Sequence, residues 1–474
     1  MEKNFDLIII GAGPGGYVAA IKAAKAGLST AVVENRRVGG TCLNRGCIPA
    51  KAMIHASSLY REAQEAGQFG IGVCGVSFDY EKILAYKEET IDALVGGVEQ
   101  LLKANGVQVL QGTGRLESRQ DGLHVVSVCA EDGGRVYYAA ERVILAAGSK
   151  PARIPIPGID LPKVLNSDGL FALKEAPESL IIIGGGVIGV EFASVFADLG
   201  TKVTIMEALP KILDNFDKEI SQSLKMILKK RGVDIHTSVR VQGFTEAENG
   251  SICCSFIEKD EEKQVSASYA LVAAGRSPAM EGLTAEGLPL DMNGKFIKVN
   301  ERFETSMNGV YAIGDLIGGI QLAHAASAHG IRVIEQIAGE AASQELSVIP
   351  GCVYTDPEIA SVGLTEAQAK EQGIDVRTGK FIMSANGKSL ITKEERGFIK
   401  VVAENASGRV LGAQMMCARA TDMIGEFVTA IANGMTVSDL LRSVRAHPTY
   451  NEGIGEALES CFGESIHTAP KRKR

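Results

Sequence analysis

Two stretches of the chain repeat the same order of strand, glycine turn, helix, strand and closing acid, and this repetition restricts the possible folds more than any other feature. In the first, DLIIIGAGPGG reads as a buried strand and a turn through Gly11, Gly13 and Gly16. The helix YVAAIKAAKAG follows, and the strand STAVVE ends at Glu34. In the second, SLIIIGGGVIG turns through Gly184, Gly186 and Gly189, VEFASVFADLG is the helix, and KVTIME ends at Glu207. Glu34 lies as far beyond Gly16 as Glu207 lies beyond Gly189. In such a unit the first glycine makes the turn, the second lets a pyrophosphate approach the backbone, the third packs helix against strand, and the acid takes a ribose diol. A single GxGxxG could serve only to pack a sheet. Two complete units predict two dinucleotide sites, and two different dinucleotides imply electron transfer between them. A carboxylate at Glu207 suits a free 2'-hydroxyl and repels a 2'-phosphate, which favours NAD over NADP. Lys211 is the one cation near it in sequence.

The 474 residues leave room for about three domains. Hydrophobic residues make up 45% and charged residues 22% of the chain, the usage of an ordinary globular protein rather than a disordered or fibrous one. A formal net charge of -8 speaks against a nucleic-acid footprint on the body of the protein. The basic run Lys471-Arg472-Lys473-Arg474 reads as a solvated tail with no assigned role. Met1 to Asn4 lead straight into the apolar strand from Phe5, without the pattern of a leader, and no apolar run approaches the length a bilayer-spanning helix needs. The expectation is a protein of the cytoplasm that does not span a membrane.

Nine cysteines, an odd and scattered set, do not form the framework of a disulfide-stapled scaffold. Cys74, Cys129, Cys253, Cys254, Cys352, Cys417 and Cys461 read as small buried hydrophobes. Cys42 and Cys47 stand apart, because they lie directly after the first dinucleotide unit in VGGTCLNRGCIPAK. Their spacing does not match the CxxC pattern of zinc sites and no second pair completes a ligand set, so no metal is expected. In an ideal α-helix their Cα atoms would be roughly 8 to 9 Å apart, too far for a disulfide. Some distortion is therefore required, and Pro49, which cannot donate to the carbonyl of Arg45, offers one beside the permissive Gly46. A strained, easily reduced disulfide at a disrupted helix start is the expectation, and a helix N-terminus would stabilise the thiolate once it is reduced.

The motifs GAGPGG, GGTCLNRGCIPAK, GGGVIGVE, GRSP, YAIGD and AHPT run in this order over essentially the whole chain. In that combination the chain resembles the pyridine nucleotide-disulfide oxidoreductases. The resemblance implies an α/β fold with two Rossmann-like dinucleotide-binding domains and an α+β C-terminal dimerisation domain. It implies FAD at the first nucleotide unit and NAD at the second, and oxidation of a dihydrolipoyl dithiol. The substrate would be carried by a lipoyl domain or lipoyl carrier protein of a 2-oxo acid dehydrogenase or glycine cleavage complex. By the same resemblance Glu34 would hold the adenosine ribose of FAD and Asp315 its ribityl chain, while Lys51, paired with Glu191, would stand near the flavin ring. Gly114, Gly148, Gly275 and Ala323 would complete the cofactor positions. Cys47 would face the flavin and Cys42 would exchange with substrate. His447, oriented by Glu452, would be the acid/base, brought in by the partner subunit of an obligate homodimer.

The residues around His447 add their own argument. Pro448 is a favoured first helical residue and NEGIGEALES follows it, so the imidazole is expected at the start of a rigid helix. Thiol chemistry near neutral pH needs a base of that kind. The Pro-rich KPARIPIPGID at 150 to 160 reads as a linker, and AAGRSP at 273 to 278 closes the second nucleotide unit. Residues 1–149 and 276–348 are thus expected to form the FAD-binding part, 150–275 the NAD-binding domain, and 349–474 the dimerisation domain. Three places depart from the family pattern. Ala50 stands where Ser or Thr is usual, AAGS at 146 to 149 replaces ATGS, and AHAASAHG at 323 to 330 keeps only the opening AH. Rival readings are a glutathione- or mercuric-reductase-like enzyme, or a flavin-bound scaffold without catalysis. Glu207, the solitary Cys461, and the retention of both cysteines, Lys51, Glu191 and His447 weigh against them.

Overall fold

The strand Phe5–Ile10 lies at the middle of a seven-stranded sheet, in parallel register with Thr30–Glu34 on one side and Arg135–Leu145 on the other. Leu7, Ile8 and Ile9 are wholly buried, as a parallel strand covered on both faces requires, and that explains the unbroken apolar run in sequence. The computed structural model describes residues 2–469, so the basic run 471–474 lies outside the described residues. Arg135–Leu145 serves two further neighbours. Its first half joins the antiparallel strands Leu123–Cys129 and Thr113–Gln120, and its second half also takes Val310–Ala312 in parallel. The chain therefore leaves this sheet after residue 145 and returns to it at 310.

Between the two visits lies a second sheet, all parallel, in the order Asp234–Thr237, Lys202–Glu207, Ser179–Ile183, Tyr269–Val272, Val164–Leu165. A three-stranded antiparallel ribbon, Arg240–Glu246, Ile252–Glu258 and Glu261–Ala267, is appended to it. The outgoing and returning connections pair with each other: Ser149–Pro151 and Arg276–Pro278 form a short antiparallel ladder. The third sheet, antiparallel and five-stranded, runs Gly351–Val353, Ile359–Gly363, Val410–Met416, Phe398–Glu404, Val376–Ile382. The helices Ala420–Ala432 and Glu452–Ser460 pack on it through Phe427, Ile454 and Leu458, none of which is exposed.

The helix Cys47–Glu65 lies between the second nucleotide unit and the third sheet. Ala50 and Met53 from this helix share one apolar cluster with Phe192 and Phe196 of the helix Val187–Asp198 and with Val353 and Ile359 of the third sheet. Burying a side chain the size of Met53 contributes roughly 1.5–3 kcal/mol. An ion network reinforces the junction: Arg61 bonds Asp198 at 2.9 Å and Asp356 at 2.6 Å, and Arg231 also reaches Asp356 at 2.6 Å. Burial pushes the Asp198 carboxyl above its ordinary range despite both arginines, so this charge is held by its partners and not by water.

Two expectations need correction here. Cys254 and Cys417 are buried, but Cys74 is exposed, because it lies in the surface connection between the short turn Ala66–Phe69 and the helix Tyr80–Ala104. Pro448 does not open a helix either. The helix spans Glu452–Ser460, and Thr449 donates its N–H to Oε2 of Glu452, a bond that shapes a turn ahead of the first helical residue. No described helix is long and apolar enough to cross a membrane.

Candidate active site

The two glycine turns are built alike. Gly11 and Gly184 have φ of 105° and 109°, a region that L side chains rarely adopt. A Cβ on Gly16 would stand 1.8 Å from the carbonyl oxygen of Gly11, and one on Gly189 would stand 1.9 Å from that of Gly184. These third glycines are thus fixed by the contact of helix and strand. The helices Pro14–Lys25 and Val187–Asp198 then start with no side-chain cap and no acid in the first turn. Their N–H groups are left for an anion, and nothing lies within 4 Å of where a Cβ of Gly186 would be. Both cradles fit a pyrophosphate. At the strand ends, Glu34 accepts hydrogen bonds from the N–H groups of Ala12 and Arg36 at 2.9 and 3.0 Å. Glu207 accepts from Gly185 and Leu209 at 2.6 and 2.7 Å. Lys211 turns its ammonium to the carbonyls of Asp214 and Phe216, so its charge is engaged within its own loop.

Asp315 lies in the turn Gly314–Ile317, where its Oδ2 accepts the hydroxyl of Ser149. Arg276 donates to both Oγ and the carbonyl of Ser149 at 2.6 Å. The AAGS, GRSP and YAIGD motifs, distant in sequence, are thereby joined. Gly148 and Gly275, both with positive φ, stand beside this contact. Gly114 packs against Val33 and Ile10, leaving no room for a Cβ, and Ala323 is the first residue of the helix Ala323–Ala338. The altered stretch in that helix has a structural use: His329 accepts the N–H of Gly314 at its Nδ1, 3.3 Å away, and its ring lies 4.6 Å from that of Phe303. Burial lowers the pKa of His329, which keeps Nδ1 an acceptor.

Cys42 and Cys47 are free thiols, close enough that each acts on the ionisation of the other. Cys42 belongs to the short helix Gly40–Arg45, and Cys47 opens the helix Cys47–Glu65 after a break at Gly46. The break is where the sequence requires a distortion. A Cβ on Gly46 would press on the carbonyl of Thr41 at 2.9 Å. The hydrogen bond from Cys42 lowers the pKa of Cys47 to about 7 against the cost of its burial, with the charge of Lys51 helping. The same contact, together with burial, pushes Cys42 upward.

Lys51, one turn into the helix, holds both carboxylate oxygens of Glu191 at 3.0 and 2.8 Å. Glu191 is only 5% exposed and takes a third bond, from the N–H of Tyr354 at 3.0 Å. The Lys51 ammonium also lies over the ring of Tyr354, 4.6 Å from its centroid. Tyr354, Arg276 and Ser149 are partners that sequence reasoning missed. The GRSP motif marked Arg276 only as part of a turn, and no pattern marked Tyr354.

His447 is 77% exposed and its Nδ1 lies 2.8 Å from Oε1 of Glu452. Bonds from Thr449 and His447 hold Glu452 below the ordinary carboxylate range although partial burial opposes them. A carboxylate only accepts, so Nδ1 carries the proton and Nε2 is left to act as a base. Among the described residues, no hydrogen bond or ion pair joins His447 to either cysteine of the same chain. No group of three or more His, Cys, Asp or Glu there is placed to hold a metal.

The sequence model of the pyridine nucleotide-disulphide oxidoreductases matches residues 5–330, and that of their dimerisation domain matches residues 349–458. A dihydrolipoyl dehydrogenase of Bacillus subtilis (strain 168) is 40% identical over 473 residues, covering 98% of this chain and all of that protein. One from Trypanosoma brucei brucei is 38% identical over 471 residues, with 98% of each chain covered. Among solved structures, LpdA of Mycobacterium tuberculosis superposes with a TM-score of 0.89 at 27% identity, over 96% of this chain and 99% of that one. The HOCl-induced flavoprotein disulfide reductase RclA of Escherichia coli gives 0.84 at 29% identity, over 96% and 99%.

Proposed function

The chain belongs to the pyridine nucleotide-disulphide oxidoreductase family, and on that premise we propose that it oxidises a protein-bound dihydrolipoyl dithiol to the cyclic disulfide, reducing NAD+. Its cofactors are FAD and NAD(H). We assign residues 1–149 and 276–348 to the FAD-binding part, 150–275 to the NAD-binding domain and 349–474 to dimerisation, which agrees with the sheet to which each segment contributes. The observation that carries the reading is the placement of the cysteine pair: Cys42 and Cys47 flank the break at Gly46, and Lys51, held by Glu191, lies one turn beyond Cys47 on the same helix.

In the oxidised pair, a substrate thiolate attacks Sγ of Cys42, and Cys47 leaves as thiolate. The substrate's second thiolate attacks its own sulfur held on Cys42, closing the lipoyl disulfide and releasing Cys42. The two electrons now reside on the cysteine pair, and the substrate protons pass to Nε2 of His447 and on to Cys42 and solvent. Lys51 balances the charge of Cys47, and Glu191 holds Lys51 in place. Glu452 fixes the tautomer of His447. When bound, FAD supplies a two-electron acceptor for the thiolate, and NAD+ the hydride acceptor beyond it. The exposure of His447 suits a base delivered to the cysteines of a second copy, which makes the active unit a homodimer. The partner is a lipoyl domain or carrier protein, and the compartment a reducing cytoplasm, a reading supported by free thiols throughout the chain. A steady-state assay tests the proposal: NADH should form from dihydrolipoamide and NAD+, and faster turnover with glutathione disulfide and NADPH would refute it.

A further inference from the structure

The Lys51–Glu191 pair joins the helix that Cys47 opens to the helix of the second nucleotide unit, and both of its members are touched by one residue of the third sheet's edge. Tyr354 follows the strand Gly351–Val353. Its backbone N–H bonds Oε1 of Glu191 at 3.0 Å, the oxygen that Lys51 also contacts at 3.0 Å, and its ring faces the Lys51 ammonium at 4.6 Å. A lysine ammonium sits on four flexible methylenes, and an ion pair alone leaves it several rotamers. An aromatic face on a partly desolvated ammonium removes some of that freedom and attracts the charge through the ring quadrupole. The side chain of Lys51 is 30% exposed, so water competes for it on one flank.

We propose that Tyr354 is a positioning residue for the redox centre, its ring and backbone N–H together fixing the Lys51–Glu191 pair so that the Lys51 charge acts on Cys47. The inference rests on Lys51 serving Cys47 as the charge partner described above. Cys47 is faced by Cys42 from the preceding helix, by Lys51 from its own helix, by Glu191 from the second unit and by Tyr354 from the third. Cys42 and Glu191 keep their contacts in a substitution at 354, because the bond to Glu191 comes from the backbone, so what changes is the hold of the ring on Lys51.

The test uses the reduced, flavin-loaded protein and measures the rate at which iodoacetamide alkylates Cys47 against pH, quantified on its own peptide by mass spectrometry. Tyr354→Leu should raise the midpoint for Cys47 by about 0.5 to 1 pH unit, as loss of a cation–π contact predicts. Tyr354→Phe, which keeps the face and loses the hydroxyl, should titrate like the parent. Should Tyr354→Leu fail to fold, Tyr354→Met removes the ring at similar volume and carries the same expectation. An unshifted midpoint in the ring-less variant overturns the inference, as does an equal shift in Tyr354→Phe. Lys51→Met separates this failure from that of the underlying reading. If Lys51→Met moves the midpoint and Tyr354→Leu does not, only the role of Tyr354 falls; if neither moves it, Lys51 is not the charge partner of Cys47.

Discussion

Glu34 and Glu207 make the same two hydrogen bonds in two copies of one unit: each accepts the N–H of the residue inside its glycine turn, 22 positions back, and the N–H two positions ahead. The carboxylate thus braces the turn, besides its proposed role toward a ribose. Glu207→Ala removes a buried acceptor of two bonds and the proposed ribose contact, so KM for NAD+ should rise about 10- to 100-fold. Flavin content should be unchanged. Loss of flavin without a change in KM would mean that the two sites are assigned the wrong way round.

The cysteines should separate by substitution. Cys42→Ala takes away the hydrogen bond that stabilises the Cys47 thiolate, so the alkylation midpoint of Cys47 should rise by about one unit or more from its value near 7. Turnover with dithiol should fall to background with flavin retained. A Cys47 midpoint unmoved in Cys42→Ala would show that the thiols do not share a proton.

His447→Gln should reduce turnover by about 10²- to 10⁴-fold with the fold intact, since Nε2 is the proposed base. The origin of that base can be read from mixed dimers. A chain with Cys42→Ala and one with His447→Gln, each inactive alone, assemble one complete site per mixed dimer if the imidazole crosses over. Random pairing then restores about a quarter of parental activity. Absence of any recovery in a verified mixed dimer would place the base in its own chain.

His329 links stability to pH. Its folded pKa lies below the ordinary 6.5, because burial disfavours the imidazolium. The unfolded chain therefore binds the extra proton first, and stability falls as pH drops below about 6.5, the loss growing until the folded pKa is reached. Protonation also ends the acceptance of the Gly314 N–H, next to Asp315. Flavin retention measured by ultrafiltration should decline from pH 7 to 5, and His329→Gln, neutral throughout, should flatten the decline. His124, also buried and lowered, contributes the same sign and is the control substitution.

Much of this was legible in the sequence because the decisive residues lie in local patterns. Glycine turns, the acids at a matched spacing beyond them, and two cysteines with Gly46 and Pro49 between and beside them each have a short-range cause. The strands Thr30–Glu34 and Lys202–Glu207 end where the acids require. What the sequence hid are meetings across long separations. Ser149 and Asp315 are 166 residues apart, and Glu191 and Tyr354 are 163 apart. No periodicity encodes such a contact. The misplaced helix start at Pro448 is a different failure. A proline fits the first turn of a helix, but here Glu452, further along the chain, uses its carboxylate on Thr449 and His447, and the helix begins with it.

The central claim, that electrons pass from a dithiol through Cys42 and Cys47 to NAD+, is tested most directly by a stoichiometric anaerobic titration. One equivalent of dihydrolipoamide per chain, added to the oxidised flavin-loaded protein, should yield one of lipoamide and expose Cys42 and Cys47 to thiol labelling. NAD+ added before the labelling reagent should return one equivalent of NADH and leave both cysteines unlabelled. Lipoamide formed while neither cysteine becomes labelled, or thiols that NADP+ but not NAD+ reoxidises, would contradict the account.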